Sequence, residues 1–368
     1  MRKLLVTAVL AATLAAPTSL KTIAGNGTPG FSAAQLHDPL SLVAGPDGAL
    51  YFSEYGNHMI RRLDLKTRAL TTIAGNGKQG YDGEGGPAIN AMLNQPLEIQ
   101  FDTAGNLYIA DTSNNVVQKV DAKTKTITTI AGTGKPGFAG DGGPAVKAQL
   151  RGPGGLAFLK DGSLLICDVG NNRIRRIDFK TGMIDTFAGT GERKPTPDGA
   201  PLQGTPLRGP RALAVRSNGD LYLALNTAIY KIDTQANRIT HVAGAGGEPG
   251  PPGDGPGAVL PHLKGDAKQA TLSSPKGITL SPDGSLLYVA DTESHRILRI
   301  DMKTGVIETI AGTGERGDDG VGHNAGVATS PDGDPLKCKL SRPHAIVVDS
   351  KGAVYFTDSF SNRIRVLR

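Results

Sequence analysis

The sequence has no tryptophan, two cysteines, and only 17 tyrosines and phenylalanines in 368 residues. Cys167 and Cys338 lie too far apart for a thiolate metal centre of the usual spacing, and two cysteines make no disulfide scaffold. The formal charge of +6 is modest for this length and falls short of a nucleic-acid binder. Long apolar runs are also missing. The longest, Leu4 to Ala16, is too short to span a membrane stably.

What the chain does have is glycine (50) and proline (24), with 38% hydrophobic residues. That composition excludes collagen and disorder and argues against a helical bundle. Many short strands joined by many turns fit it best. Arg2 and Lys3 ahead of the Leu4–Ala16 run form the charged and apolar regions of a secretory signal over residues 1–15. Export to the periplasm or the extracellular space is therefore expected.

An internal repeat organises the remainder. A Gly turn, Leu-Tyr, an apolar residue, Ala-Asp, an Asn-containing turn and Ile-Arg-Arg-Ile-Asp recur along the chain. The aligned positions are Tyr51, Tyr108, Leu165, Tyr222, Tyr288 and Tyr355. Each of the six units reads as four strands of β-branched and aromatic residues bounded by turn residues. Four strands per unit, repeated radially, predict an all-β, six-bladed β-propeller with four-stranded blades. The blades are expected at about 39–75, 96–132, 153–189, 210–244, 275–312 and 343–368. The sixth lacks its last strand, and a stray copy of that strand stands at 20–27. The N-terminal segment therefore completes the last blade and closes the ring, giving one domain over 16–368 and leaving no open edge between the ends.

The repeats resemble NHL repeats, most closely at 106–119 and 285–299. The resemblance implies the propeller fold. It leaves function open among lyases, sensor domains and RNA- or protein-binding modules, with metal-dependent gluconolactonase-type hydrolases as related propellers.

Sites should break a repeat. The acids Glu54, Asp111, Asp168, Asp291 and Asp358 recur at one strand end, which reads as a repeat-building device. Asp111, Asp168, Asp291 and Asp358 are also the candidate ligands for a divalent metal, calcium or zinc, which nothing in the sequence requires. The connector acids Glu84, Asp141, Asp198, Asp254 and Asp319 sit in Gly-rich segments that read as turns rather than calcium loops.

The deviations are more informative. The first strand of each unit opens on a Pro-x-Gly pattern. Its variable and following positions are Leu40-Ser41, Leu97-Glu98, Gly154-Gly155, Arg211-Ala212, Lys276-Gly277 and His344-Ala345. Blades four to six thus place Arg211, Lys276 and His344 at one level of the channel mouth, with Arg342 just outside and Glu98 added by blade two. Blade four also lacks the strand-end acid, which leaves Arg211 without that partner. These five residues form an expected site for a carboxylate or phosphate. Lys276 and His344 are also placed to pair with Asp291 and Asp358 across their own hairpins.

One inner histidine among His37, His58, His241, His262, His295, His323 and His344 falls short of the three protein ligands of a catalytic zinc. The resemblance to the hydrolases puts an asparagine where Lys276 stands. The third-strand arginines have no interleaved aromatics for base stacking. The sequence thus points to a monomeric, non-catalytic scaffold that binds a protein or a small anion on its long-connector face. A metal-dependent lactonase or a lyase with its site at the channel mouth is the alternative.

Overall fold

A computed structural model describes residues 17–32, 34–216, 218–245, 263–317 and 332–368. The signal segment 1–15, Asp254, Asp319, His262 and His323 lie outside the described residues.

Six antiparallel sheets succeed one another along the chain. Blade one is Pro39–Ala44, Leu50–Glu54, Met59–Leu63 and Leu70–Ala74. Blade two is Pro96–Phe101, Leu107–Asp111, Val116–Val120 and Ile127–Ala131. Blades three, four and five repeat the order, starting at Pro153–Phe158, Ala212–Val215 and Pro275–Leu280. Blade six holds Pro343–Val348, Val354–Asp358 and Arg363–Leu367, and its fourth strand is Leu20–Ala24. Leu20 pairs with Leu367 and Thr22 with Arg365. The expected closure by the N-terminal strand is what the structure shows.

The core is six wedges rather than one mass. Each cluster of buried side chains lies between neighbouring blades, as Ile60, Ala74, Leu93, Ile99 and Ile109 do between blades one and two. The inner strands of each blade therefore bury both faces, one against each neighbouring sheet, while the outer strands keep exposed positions. This explains strands such as Leu164–Asp168, buried along their whole length.

A second ring of contacts fixes blade to blade at the mouth. The residue before each first-strand proline region has positive φ: Asp38, Gln95, Gly152, Gly209, Ser274 and Arg342. Its N–H is taken by the turn of the preceding blade. The acceptors are Asn362 Oδ1 (2.9 Å), His58 Nδ1 (3.1 Å), Asn115 Oδ1 (3.0 Å), Asn172 Oδ1 (3.2 Å), the Asn226 carbonyl (2.9 Å) and His295 Nδ1 (3.1 Å). Asn tolerates the left-handed conformation these turn positions adopt, and two histidines take the same role.

The long connectors do not simply form loops over one face. Those leading into blades two to six run to the outer edge of the following blade and pair there. Gly85 N–H donates to the Ile127 carbonyl, and Ile127 N–H to the Gly86 carbonyl. Gly143–Pro144 pairs with Met183–Ala188, and Lys264–Asp266 with Val306–Ala311. The connector acids act as latches. Glu84 accepts from Thr129 N–H (2.9 Å), Asp141 from the Thr186 hydroxyl (2.6 Å) and Asp198 from His241 N–H (2.7 Å). In blade six the latch is Asp332, which accepts from the N–H and hydroxyl of Thr22, both at 2.9 Å. Left-handed glycines such as Gly83 (φ 92°) and Gly85 (φ 75°) let the connector double back.

Candidate functional site

The first strands line the central channel, and the Pro-x-Gly pattern builds its mouth. In five blades the pairing register slips just after the proline, as between Pro39 and Leu42 or Pro153 and Leu156. Such bulges re-aim side chains. Blade four has no slip, and Ala212 pairs directly with Ala224. The glycine allows neighbouring first strands to meet closely: a Cβ on Gly277 would lie 2.1 Å from the His344 carbonyl oxygen. At that level the ring reads Ser41, Glu98, Gly155, Ala212, Gly277 and Ala345, so Glu98 is its one large residue.

A cavity of about 330 Å³ fills the mouth, and Glu98, Arg211, Lys276, Arg342 and His344 all line it. The structure thus brings together every residue of the expected anion site. A second cavity of about 550 Å³ occupies the opposite end of the channel, and Glu98 borders both.

The mouth has two halves. Blades four to six supply Arg211, Lys276, His344 and Arg342. Arg211 donates from Nε to Asn226 Oδ1 (3.2 Å) and forms no ion pair among the described residues. Burial lowers its pKa. Lys276 Nζ lies 3.5 Å from Glu293 Oε1, and Arg342 pairs with that same oxygen. Burial, followed by Glu293 acting in the other direction, leaves the Lys276 ammonium lowered to about 8. Arg342 also stacks over Phe360, 4.7 Å from the ring centroid.

His344 departs from the cation expected at its position. Burial first, then the charge of Lys276, pulls its pKa well below the usual histidine value. It is a neutral ring with Nδ1 donating to the Arg342 carbonyl (3.0 Å), which makes Nε2 an acceptor. The pairings with Asp291 and Asp358 do not form. Lys276 turns to Glu293 instead, and His344 to a backbone carbonyl.

Blades one to three supply an apolar wall. Leu40, Leu97 and Val169 line the cavity, with Tyr55 and Asp38 at the blade-one side. Leu97 and Val169 meet over Gly154, whose missing Cβ would lie 3.4 and 3.0 Å from them. Glu98 lies between the halves. Its Oε1 accepts from the Ser41 hydroxyl (2.5 Å) and Ile99 N–H (3.3 Å), while Oε2 has no partner among the described residues. Burial outweighs those hydrogen bonds and pushes the carboxyl up to about 7.

The sequence reading missed Tyr55, Val169, Phe360 and Glu293. A signal for two of them exists. Thr112, Thr292 and Ser359 occupy the turn position after the strand-end acid, and each hydroxyl bonds the next blade's proline carbonyl. Tyr55 and Val169 stand at that position without a hydroxyl able to do so.

The candidate metal ligands are all engaged in joining blade to connector. Asp111, Asp168, Asp291 and Asp358 accept from the N–H of Asn94, Arg151, Ser273 and Ser341, each at 2.7 Å. Their second oxygens take Asn114, Asn171, Ser294 and Arg365. Glu54 accepts from His37 N–H and Arg61 in the same way. Among the described residues, no three His, Cys, Asp or Glu side chains cluster as a metal site. Cys167 and Cys338 are buried and not joined by a disulfide.

The Teneurin NHL domain family matches residues 133–368. The chain belongs to the NHL-repeat β-propellers. This NHL propeller is 29% identical over 350 residues to Teneurin-3 of Mus musculus, covering 89% of the chain and 12% of that protein. It is 26% identical over 309 residues to NHL repeat-containing protein 2 of Bos taurus, covering 75% of the chain and 40% of the relative. The chain thus spans well under half of either relative. Among solved structures, an auxiliary nutrient binding protein from Bacteroides thetaiotaomicron superposes with a TM-score of 0.65 at 17% identity, over 96% of this chain and 77% of that one. A gluconolactonase from Xanthomonas campestris superposes with a TM-score of 0.58 at 11% identity, over 97% and 92%. Both likenesses concern the fold.

Proposed function

We propose that this NHL propeller is an exported, monomeric scaffold that binds a small organic anion in its channel mouth. The observation carrying the reading is the Arg211 guanidinium, which lines the cavity without a carboxylate partner among the described residues. An unpaired guanidinium in such a place is a ready donor to carboxylate or phosphate. Lys276 and Arg342 share a single carboxylate, so the basic half carries a surplus of positive charge. The opposite wall of Leu40, Leu97 and Val169 favours an anion with an apolar body over inorganic phosphate. The cavity volume lies within the range of small-molecule sites, about 300–1,000 Å³. A solved neighbour described as nutrient-binding is consistent with this use of the fold. Export rests on the N-terminal charged and apolar segment.

Isothermal titration with acetate, 4-methylpentanoate and phosphate tests the reading. The branched acid should bind at least about tenfold more tightly than acetate, since each buried methylene contributes about 0.8 kcal/mol. Arg211→Ala should weaken both acids. Absence of heat with all three ligands, or unchanged binding in Arg211→Ala, overturns it.

A further inference from the structure

In blades two to six the outer strand is covered by the preceding connector. The aligned residues Ile127, Ile184, Ile239, Ile307 and Leu20 are each at most 1% exposed. Blade one differs. Its connector, 25–38, is shorter than the others, and no described residue pairs with the outer side of Leu70–Ala74. Leu70, the counterpart of those five residues, is only part-buried.

The register identifies which groups are left over. In blade two the connector takes the N–H and carbonyl of Ile127 and the carbonyl of Lys125, and Glu84 takes Thr129 N–H. In blade one the equivalent groups belong to Leu70, Arg68 and Thr72. No hydrogen bond to Thr72 N–H from an acid is present among the described residues. Exposed Lys66 and Arg68 flank this edge, so it also carries positive charge. Four blades of the same molecule show what fits such an edge, an extended Gly- and Pro-containing segment whose acid reaches the third strand residue. In blade five the Leu263 carbonyl takes the Thr309 N–H in that place.

We propose that the outer edge of blade one, Leu70–Ala74, docks an extended acidic segment of a partner polypeptide by strand addition. The partner would supply an Asp or Glu to the N–H and hydroxyl of Thr72, an apolar cover for Leu70 and two to three main-chain hydrogen bonds. Main-chain pairing gives affinity in this mode of recognition, and the acid gives register. It is independent of the channel mouth, which opens at the opposite, inner end of the blade.

The test is amide NMR of the full chain titrated with a synthetic peptide of residues 137–148, the connector segment that covers blade three. The expected result is selective shift and slowed exchange at Leu70 and Thr72, weakened at least about fivefold when the peptide carries Asp141→Lys. Thr72→Pro in the protein removes the outward N–H while leaving the ring-side pairing, so it should abolish the shifts at unchanged melting temperature. No shift at millimolar peptide overturns the proposal, as does binding that ignores the peptide's acid. Protection of Leu70 that rises with protein concentration alone assigns the edge to a second copy of this chain and overturns it too.

Discussion

Arg211 gives its Nε hydrogen to Asn226 Oδ1 at 3.2 Å, a neutral amide one residue past Leu225, which stands where the other blades carry their strand-end acid. The guanidinium is thus desolvated without a compensating charge, which is a poor arrangement for stability. Arg211→Met should leave stability unchanged or raise it by about 1 kcal/mol while anion binding is lost. Urea unfolding checks this. A loss of more than about 1 kcal/mol would make Arg211 a structural residue.

Glu98 sets a pH dependence of opposite sense to that of a salt-bridged acid. Its folded-state pKa is raised to about 7 by burial, above the unfolded value. The folded state therefore holds the proton more tightly, and this contribution to stability is full below about pH 4 and lost as pH rises through 7. Glu98→Gln keeps an acceptor for Ser41 and does not ionise. It should match the native chain at pH 5 and exceed it by about 2 kcal/mol at pH 8.5. Identical melting curves for the two proteins at pH 8.5 would refute the assignment. Anion binding should weaken over the same range, because Glu98 gains charge near 7 and Lys276 loses it near 8.

His58 and His295 accept N–H groups where three other blades use asparagine. Burial first, and His37 second, lower the His58 pKa. A lowered histidine means that the unfolded chain takes up the proton first, so stability present above about pH 6.5 is lost as pH falls. His58→Asn retains the acceptor and the left-handed conformation. Thermal melts at pH 7.5 and 5 should show a smaller acid-induced fall in the variant. An unchanged fall would place acid sensitivity elsewhere.

The blades, their closure and the mouth residues were legible because a repeat supplies its own internal alignment. Once Tyr51, Tyr108 and their counterparts are in register, Arg211, Lys276 and His344 must share a level. Chemistry between blades was less legible. Glu293 shows as a lone acid in its turn, yet its capture of Lys276 in place of Asp291 depends on the turn's geometry. The neutral state of His344 depends on surrounding burial that no local pattern reports. The connector paths were hidden for a similar reason. Gly-Asp-Gly-Gly-Pro is a good turn anywhere, and only the edge of the next sheet makes it a strand.

The pairing of Leu20 with Leu367 also orders events in time. A chain emerging from its N-terminus has the closing strand available first and its pairing partner last. Five blades can assemble against their neighbours as they appear, while Leu20–Ala24 must wait, unpaired, for Arg363–Leu367. Such a long-range contact is slow to form and leaves an apolar strand exposed meanwhile. Ring closure is thus the last pairing the propeller can make as the chain emerges, and until then Leu20 lacks the cover it has in the closed ring.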